Sequence, residues 1–150
     1  MRKILSVVAL LIGLMASSFA FAAKVADEMK IVGEGSVRST PTGQHVTAAF
    51  FGVENKSDTP HYLTAVKSTL SKNMVLHRTV QEGKDMMSMK PVAKLEIPAH
   101  GKLTLQPGGN HVMMMDLEKP VTVGERVTLM LVFEDGSELP AKLLVTDVRD

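Results

Sequence analysis

The chain of 150 residues contains no cysteine. That absence excludes disulfides, thiol nucleophiles and thiol–disulfide exchange. It also excludes a blue-copper electron-transfer centre, which needs a Cys thiolate. An excess of charge of one sign is missing too: 17 Lys and Arg face 16 Asp and Glu, with no basic block among them. Nucleic acid and anionic lipid therefore have no electrostatic footprint to bind. No apolar run is long enough for a stable membrane helix, and beyond the N-terminal segment no stretch holds a 3.6-residue period. There is no internal repeat, low-complexity tract or linker.

Residues 1–22 read as a cleavable signal peptide. Arg2 and Lys3 supply the positive start, Ile4 to Met15 an apolar run too short to span a bilayer, and Phe19-Ala20-Phe21-Ala22 a small-residue cleavage site. With no Cys near that site, lipid attachment to a new N-terminal Cys is excluded. The expected product is a periplasmic protein of residues 23–150, one domain long enough for a hydrophobic core. Without Arg2 and Lys3 its basic residues fall from 17 to 15 against 16 acidic ones, a net charge of −1. With no disulfide available, stability must come from packing or in part from a bound metal.

The mature chain reads as all-β. Short apolar, β-branched segments recur between Gly, Pro, Asn and Asp turn signals. Strands are expected over 30–38, 46–54, 62–68, 74–80, 86–89, 93–97, 102–106, 126–133 and 139–147. Pro140 suggests that the last of these starts late or lies at an edge. Seven to nine short strands in such a length point to a Greek-key β-sandwich or barrel.

What the chain has in quantity is methionine: 11 residues, of which Met74, Met86, Met87, Met89, Met113, Met114 and Met115 fall within one stretch. His77 and His111 lie in the same stretch. In an extended strand, residues two apart share a face, so His111, Met113 and Met115 project together while Val112 and Met114 face the other way. Met87 and Met89 pair in the same manner. Thioether sulfur and neutral imidazole make a soft, uncharged donor set, suited to copper(I) rather than to zinc, magnesium or calcium. Met needs no deprotonation and forms no disulfide in an oxidising compartment. The candidate metal ligands are His77, Met89, His111 and Met113. Met is also a common core filler, and Met74, Met114 and Met130 are expected in the core, with Met87 and Met115 intermediate. His45, His61 and His100 read as surface or turn residues, and Glu134-Asp135 as part of a hairpin turn.

The spacing of these four residues resembles the PCu(A)C-type periplasmic copper chaperones, whose pattern is His-(Met)-x10-Met-x21-His-x-Met. Val75-Leu76-His77, Met87-Ser88-Met89-Lys90-Pro91-Val92, Leu95-Glu96-Ile97-Pro98, Leu105-Gln106-Pro107-Gly108-Gly109-Asn110-His111 and Phe133-Glu134-Asp135-Gly136 are similar to that family as well. The resemblance implies a cupredoxin-like barrel without the usual cupredoxin ligands. It also implies that the protein gives Cu(I) to the binuclear copper centre of cytochrome c oxidase subunit II. Arg78 stands where the family often has an optional Met, and Ser36-Val37-Arg38 lacks a Trp that many members carry before the Arg. No His- and Met-rich tail of the kind some members use for Cu(II) precedes Asp150.

A copper-buffering or resistance protein with no dedicated acceptor would use the same site. A metal-free interaction module would use the Met cluster as an adaptable apolar surface. An enzyme is the least supported class, since no nucleophile–base set follows from spacing. A monomer suffices for each reading.

Overall fold

Residues 23–147 are described by the computed structural model; the signal-peptide reading of 1–22 falls outside them. A 3-10 turn, Val25–Glu28, leads into ten strands. These are β1 (Met29–Arg38), β2 (Thr47–Asn55), β3 (His61–Lys67), β4 (Ser71–Gln81), β5 (Met87–Pro91), β6 (Leu95–Ile97), β7 (Lys102–Thr104), β8 (His111–Leu117), β9 (Arg126–Phe133) and β10 (Glu138–Thr146). Among the described residues no helix is long and apolar enough to cross a membrane.

The strands form one sheet in the order β5-β4-β8-β2-β1-β10-β9-β3-β6, with β7 paired to β2 beside the main path. All pairings are antiparallel except β1 with β10, which run parallel from Gly35 opposite Leu143 to Arg38 opposite Thr146. The sheet curls until β3 packs near β4 and β6 near β7. It does not close, because between β3 and β4 the ladder is reduced to the single bridge Ser68–Ser71. The architecture is therefore the expected all-β, cupredoxin-like one, with an open seam in place of a complete barrel.

Strict alternation builds the core. In β9, Val127, Leu129, Leu131 and Phe133 are buried while the residues between them face outward. Met130 belongs to that outward set and is only half-buried, which corrects its expected place in the core: the period-2 alternation outranks its hydrophobicity. Met114 and Val112 are fully buried, and Met74 packs against the core from its edge. Asn55 is the fully enclosed polar exception. Its amide donates to Thr59 O (2.8 Å) and Ile97 O (3.1 Å), and its Oδ1 accepts from Ser57 N (2.9 Å) and Ser57 Oγ (2.8 Å).

β1 approaches its neighbours so closely at Gly35 that a Cβ there would lie 2.9 Å from Leu143 Cγ and 3.0 Å from Phe50 O, so the crossing of β1, β2 and β10 needs glycine. β10 starts at Glu138, before Pro140, and lies inside the sheet, so neither a late start nor a true edge holds. Pro140 is tolerated because β1 pairs only with Leu143 to Thr146, leaving β9 as the sole partner at Pro140.

The β9–β10 turn also anchors the N-terminal segment. Val25 N donates to Asp135 Oδ2 and Ala26 N to Ser137 Oγ, both at 2.9 Å. His61, expected at the surface, is half-buried in a polar group with Glu134, Thr59 and Glu28. Burial raises the Glu134 carboxyl, but hydrogen bonds from the Tyr62 N–H and from His61 outweigh it and hold the group below its usual value.

Candidate metal centre

β4, β5 and β8 are neighbours, with β4 in the middle, and the register of their two ladders decides which side chains meet. Cross-strand partners share a face of the sheet. His77 lies opposite His111, Val75 opposite Met113 and Thr79 opposite Met89. Val75, His77 and Thr79 alternate along β4, so His77, Met89, His111 and Met113 all lie on one face. Leu76, Val112 and Met114 lie on the other, in the core. The four residues singled out in the sequence are thus brought together from three strands.

The two imidazoles meet edge to face, with ring centroids 5.3 Å apart and planes at 77°. His111 is 4 % exposed. Its Nδ1 is 3.1 Å from Gly109 O; a carbonyl only accepts, so Nδ1 donates, and in the neutral ring Nε2 is then the nitrogen with the lone pair. The same carbonyl takes a hydrogen bond of 2.7 Å from Thr79 Oγ1. The 107–109 turn is held in place by this pair and by Gly109 N donating to Gln106 O, and Gly108 supplies its left-handed residue (φ 79°). His77 is half-buried, and its buried Nδ1 has no hydrogen-bond partner among the described residues. Burial, and then the neighbouring His111, lower its pKa from 6.5, which keeps the ring neutral at neutral pH.

Met89 sits on the edge strand β5 and is 55 % exposed, whereas Met113 is half-buried. Met89, His111 and Met113 share a cavity of about 240 Å³ whose other walls include Arg38, Thr47, Phe50, Pro107 and Gly108. Phe50 lies 6.3 Å from the His111 ring, centroid to centroid. Chemically the arrangement offers two imidazoles and two thioethers. Among the described residues no group of three or more His, Cys, Asp or Glu is placed to hold a metal. A soft monovalent ion fits the donors that are present.

Met87 and Met115 share this face, Met87 exposed opposite Gln81 and Met115 half-buried opposite Asn73. His45 and His100 stay outside it: His45 is exposed with Nδ1 2.7 Å from Leu117 O, and His100 pairs with Asp58 at 2.5 Å. Thr79, Gly109, Phe50 and Arg38 did not emerge from the sequence as parts of the site. Thr79 carried a faint signal, two residues beyond His77 on the same face. Phe50, which arrives from β2, carried none, and Arg38 from β1 only its place at the Arg position of the resembling Ser36-Val37-Arg38 segment.

Residues 31–145 match the family described as "Putative lipoprotein LpqE-like". The "Putative lipoprotein Lxx21020" of Leifsonia xyli subsp. xyli (strain CTCB07) is 32% identical over 105 residues, 70% of this chain. The match spans 63% of that relative's length, less than two thirds of it. Among solved structures, the copper-bound PCuAC domain from PmoF2 superposes with a TM-score of 0.68 at 25% identity, covering 80% of this chain and 93% of that domain. The solution structure of CuI-DR1885 from Deinococcus radiodurans is 36% identical, with a TM-score of 0.62, over 86% of this chain and 83% of that one.

Proposed function

The chain belongs to the LpqE-like family and shares its fold with PCuAC domains, and from that premise we propose that it is an exported copper(I) chaperone. In this reading His77, Met89, His111 and Met113 hold one Cu(I), which the protein carries as cargo and passes to an acceptor protein.

The observation that carries the reading is the His77–His111 pair on one sheet face with Met89 and Met113 beside it. His111 has a fixed tautomer with a free Nε2, and His77 has a buried nitrogen without a protein partner. Copper(I) has a filled d shell and accepts such soft, neutral donors in trigonal or tetrahedral surroundings. The carbonyl that orients His111 is itself fixed by Thr79, the kind of outer support that metal-binding histidines use.

Delivery requires that the ion leave as well as bind. Met89 is the exposed donor on an edge strand, so an incoming ligand replaces it first while the two histidines and Met113 still hold the metal. The binuclear copper centre of cytochrome c oxidase subunit II is the proposed acceptor, on the strength of the four-residue motif. Export through cleavage after Ala22 agrees with the lipoprotein name of the relative, although this chain has no Cys to carry a lipid.

The test is an anaerobic Cu(I) titration of residues 23–150 against a colorimetric chelator, with His111→Ala and Met113→Ala in parallel. One tight site in the parent, lost in both variants, supports the assignment; equal affinity in all three overturns it. Incubating the Cu(I)-loaded protein with the apo soluble domain of subunit II, then separating the two for metal analysis, tests the acceptor. Copper that stays with the donor overturns the subunit II assignment.

A further inference from the structure

We propose that the cavity beside the metal centre is a carboxylate-binding subsite, with Arg38 as its cation and an acidic side chain of the copper acceptor as its occupant. The proposal rests on the chaperone reading for the identity of the occupant, and on Arg38 itself for the subsite.

Arg38 ends β1 and lines the same cavity as Met89, His111 and Met113. Its guanidinium lies over the Phe50 ring, 5.0 Å from the centroid. It makes no hydrogen bond or ion pair through its side chain among the described residues, and its Nε is buried without an acceptor. Lys67, Lys72 and Lys90, by contrast, reach Glu138, Glu118 and Glu82. A buried donor of a charged group left without a partner is rare and calls for an explanation. None of the described residues lining the cavity is acidic, so among the described residues the cavity supplies no negative charge for Arg38.

The chemistry selects a carboxylate. Guanidinium is a planar fork whose parallel N–H groups match the two oxygens of a carboxylate. The Phe50 face holds the fork in one plane, and the apolar walls strengthen its pull. The rim carries exposed Met89 and Val46, apolar surface suited to a protein partner rather than to a freely diffusing anion. A bound Cu(I) would add a second positive charge to the same cavity. An acceptor that brings an acidic side chain therefore docks preferentially on the loaded form and leaves Met89 at the contact for ligand exchange.

The experiment uses N-acetyl-aspartate methylamide as probe, with the uncharged asparagine analogue and acetate as comparisons. Binding is followed through the Arg38 Nε–H and His111 resonances by NMR, in apo and Cu(I)-loaded protein. The expected result is a saturable shift with the aspartate probe and none with the asparagine analogue. The shift should disappear in Arg38→Gln and weaken in Arg38→Lys, which keeps the charge and loses the fork. Affinity should rise about 3–10-fold on Cu(I) loading, through the added charge. The apo arm contains no copper, so a failed chaperone reading would leave its outcome intact. Absence of a saturable shift in apo protein, or a shift that survives in both Arg38 variants, overturns the subsite. Acetate binding as tightly while the capped aspartate is shut out overturns the acceptor side chain as occupant. A loaded form that binds no better than apo also overturns the link to transfer.

Discussion

His77 on β4 and His111 on β8 stand directly opposite one another in the ladder, with their rings edge to face at 5.3 Å between centroids. Burial, and then the adjacent imidazole, disfavour a charged His77 in this position. The same proximity that would repel two imidazolium ions sets the two rings side by side on one face of the sheet.

The pH dependence of the apo protein should show this. With the folded pKa of His77 below 6.5, the unfolded chain binds more protons than the folded one between that value and about 6.5. The stabilising contribution is complete above about pH 6.5 and is lost as pH falls through that window. Urea unfolding at several pH values should give a smaller acid-side drop for His77→Ala than for the parent. Identical pH profiles for the two proteins would contradict the account. Copper binding should persist somewhat below pH 6.5 for the same reason, because His77 is still neutral there.

Loss of a ligand and loss of its support should differ in size. Removing a group that orients a metal ligand typically costs about 10–100-fold in affinity, so His77→Ala and His111→Ala are expected to cost more than that in Cu(I) competition titrations. Thr79→Val keeps the shape but removes the hydrogen bond that holds Gly109 O. It is one step further out and should cost no more than about tenfold. A loss as large as that of His111→Ala would mean that Thr79 does more than steady the turn.

Two methionines test the division of the sheet into faces. Met89 is largely exposed, so Met89→Ala should alter stability by less than about 0.5 kcal/mol while weakening Cu(I) binding. Met114 is fully buried on the opposite face; Met114→Ala should cost about 2–5 kcal/mol. Chemical denaturation of the apo proteins measures the first quantity and chelator competition the second. Reversal of the two effects would assign the faces the wrong way round.

Asn55 provides a fold-only control. It is fully buried and makes four side-chain hydrogen bonds that tie the β2 end to the 57–59 turn and to β6. Asn55→Ala removes four hydrogen bonds, one of them to the buried Ile97 O, and should destabilise the protein by on the order of 3 kcal/mol. Where the variant is folded, its Cu(I) affinity should match the parent's, since Asn55 is not among the residues lining the cavity beside the metal centre.

Much of this was legible before the fold was known. The alternation in His111-Val112-Met113-Met114-Met115 told which methionines could accompany His111 and which would face the core, and Met114 lies where that alternation puts it. Met130 escaped the same logic because it was judged by its apolar neighbours rather than by its place between Leu129 and Leu131. Pro140 misled for a related reason: whether a proline sits at an edge depends on how far the adjacent strand extends, and β1 is out of reach of any local pattern.

The sequence by itself determined the chemistry: no thiol, no charged ligand set, two histidines and a run of thioethers, and side chains sorted by period two onto opposite faces. Only the tertiary structure decided that β4 lies between β5 and β8 in the register that sets His77 against His111 and Thr79 against Met89. It also brought Arg38 and Phe50 into the lining of the same cavity. The reason is physical: alternation says which face a residue occupies, whereas strand order and register are settled by the packing of the whole core, which no single segment encodes.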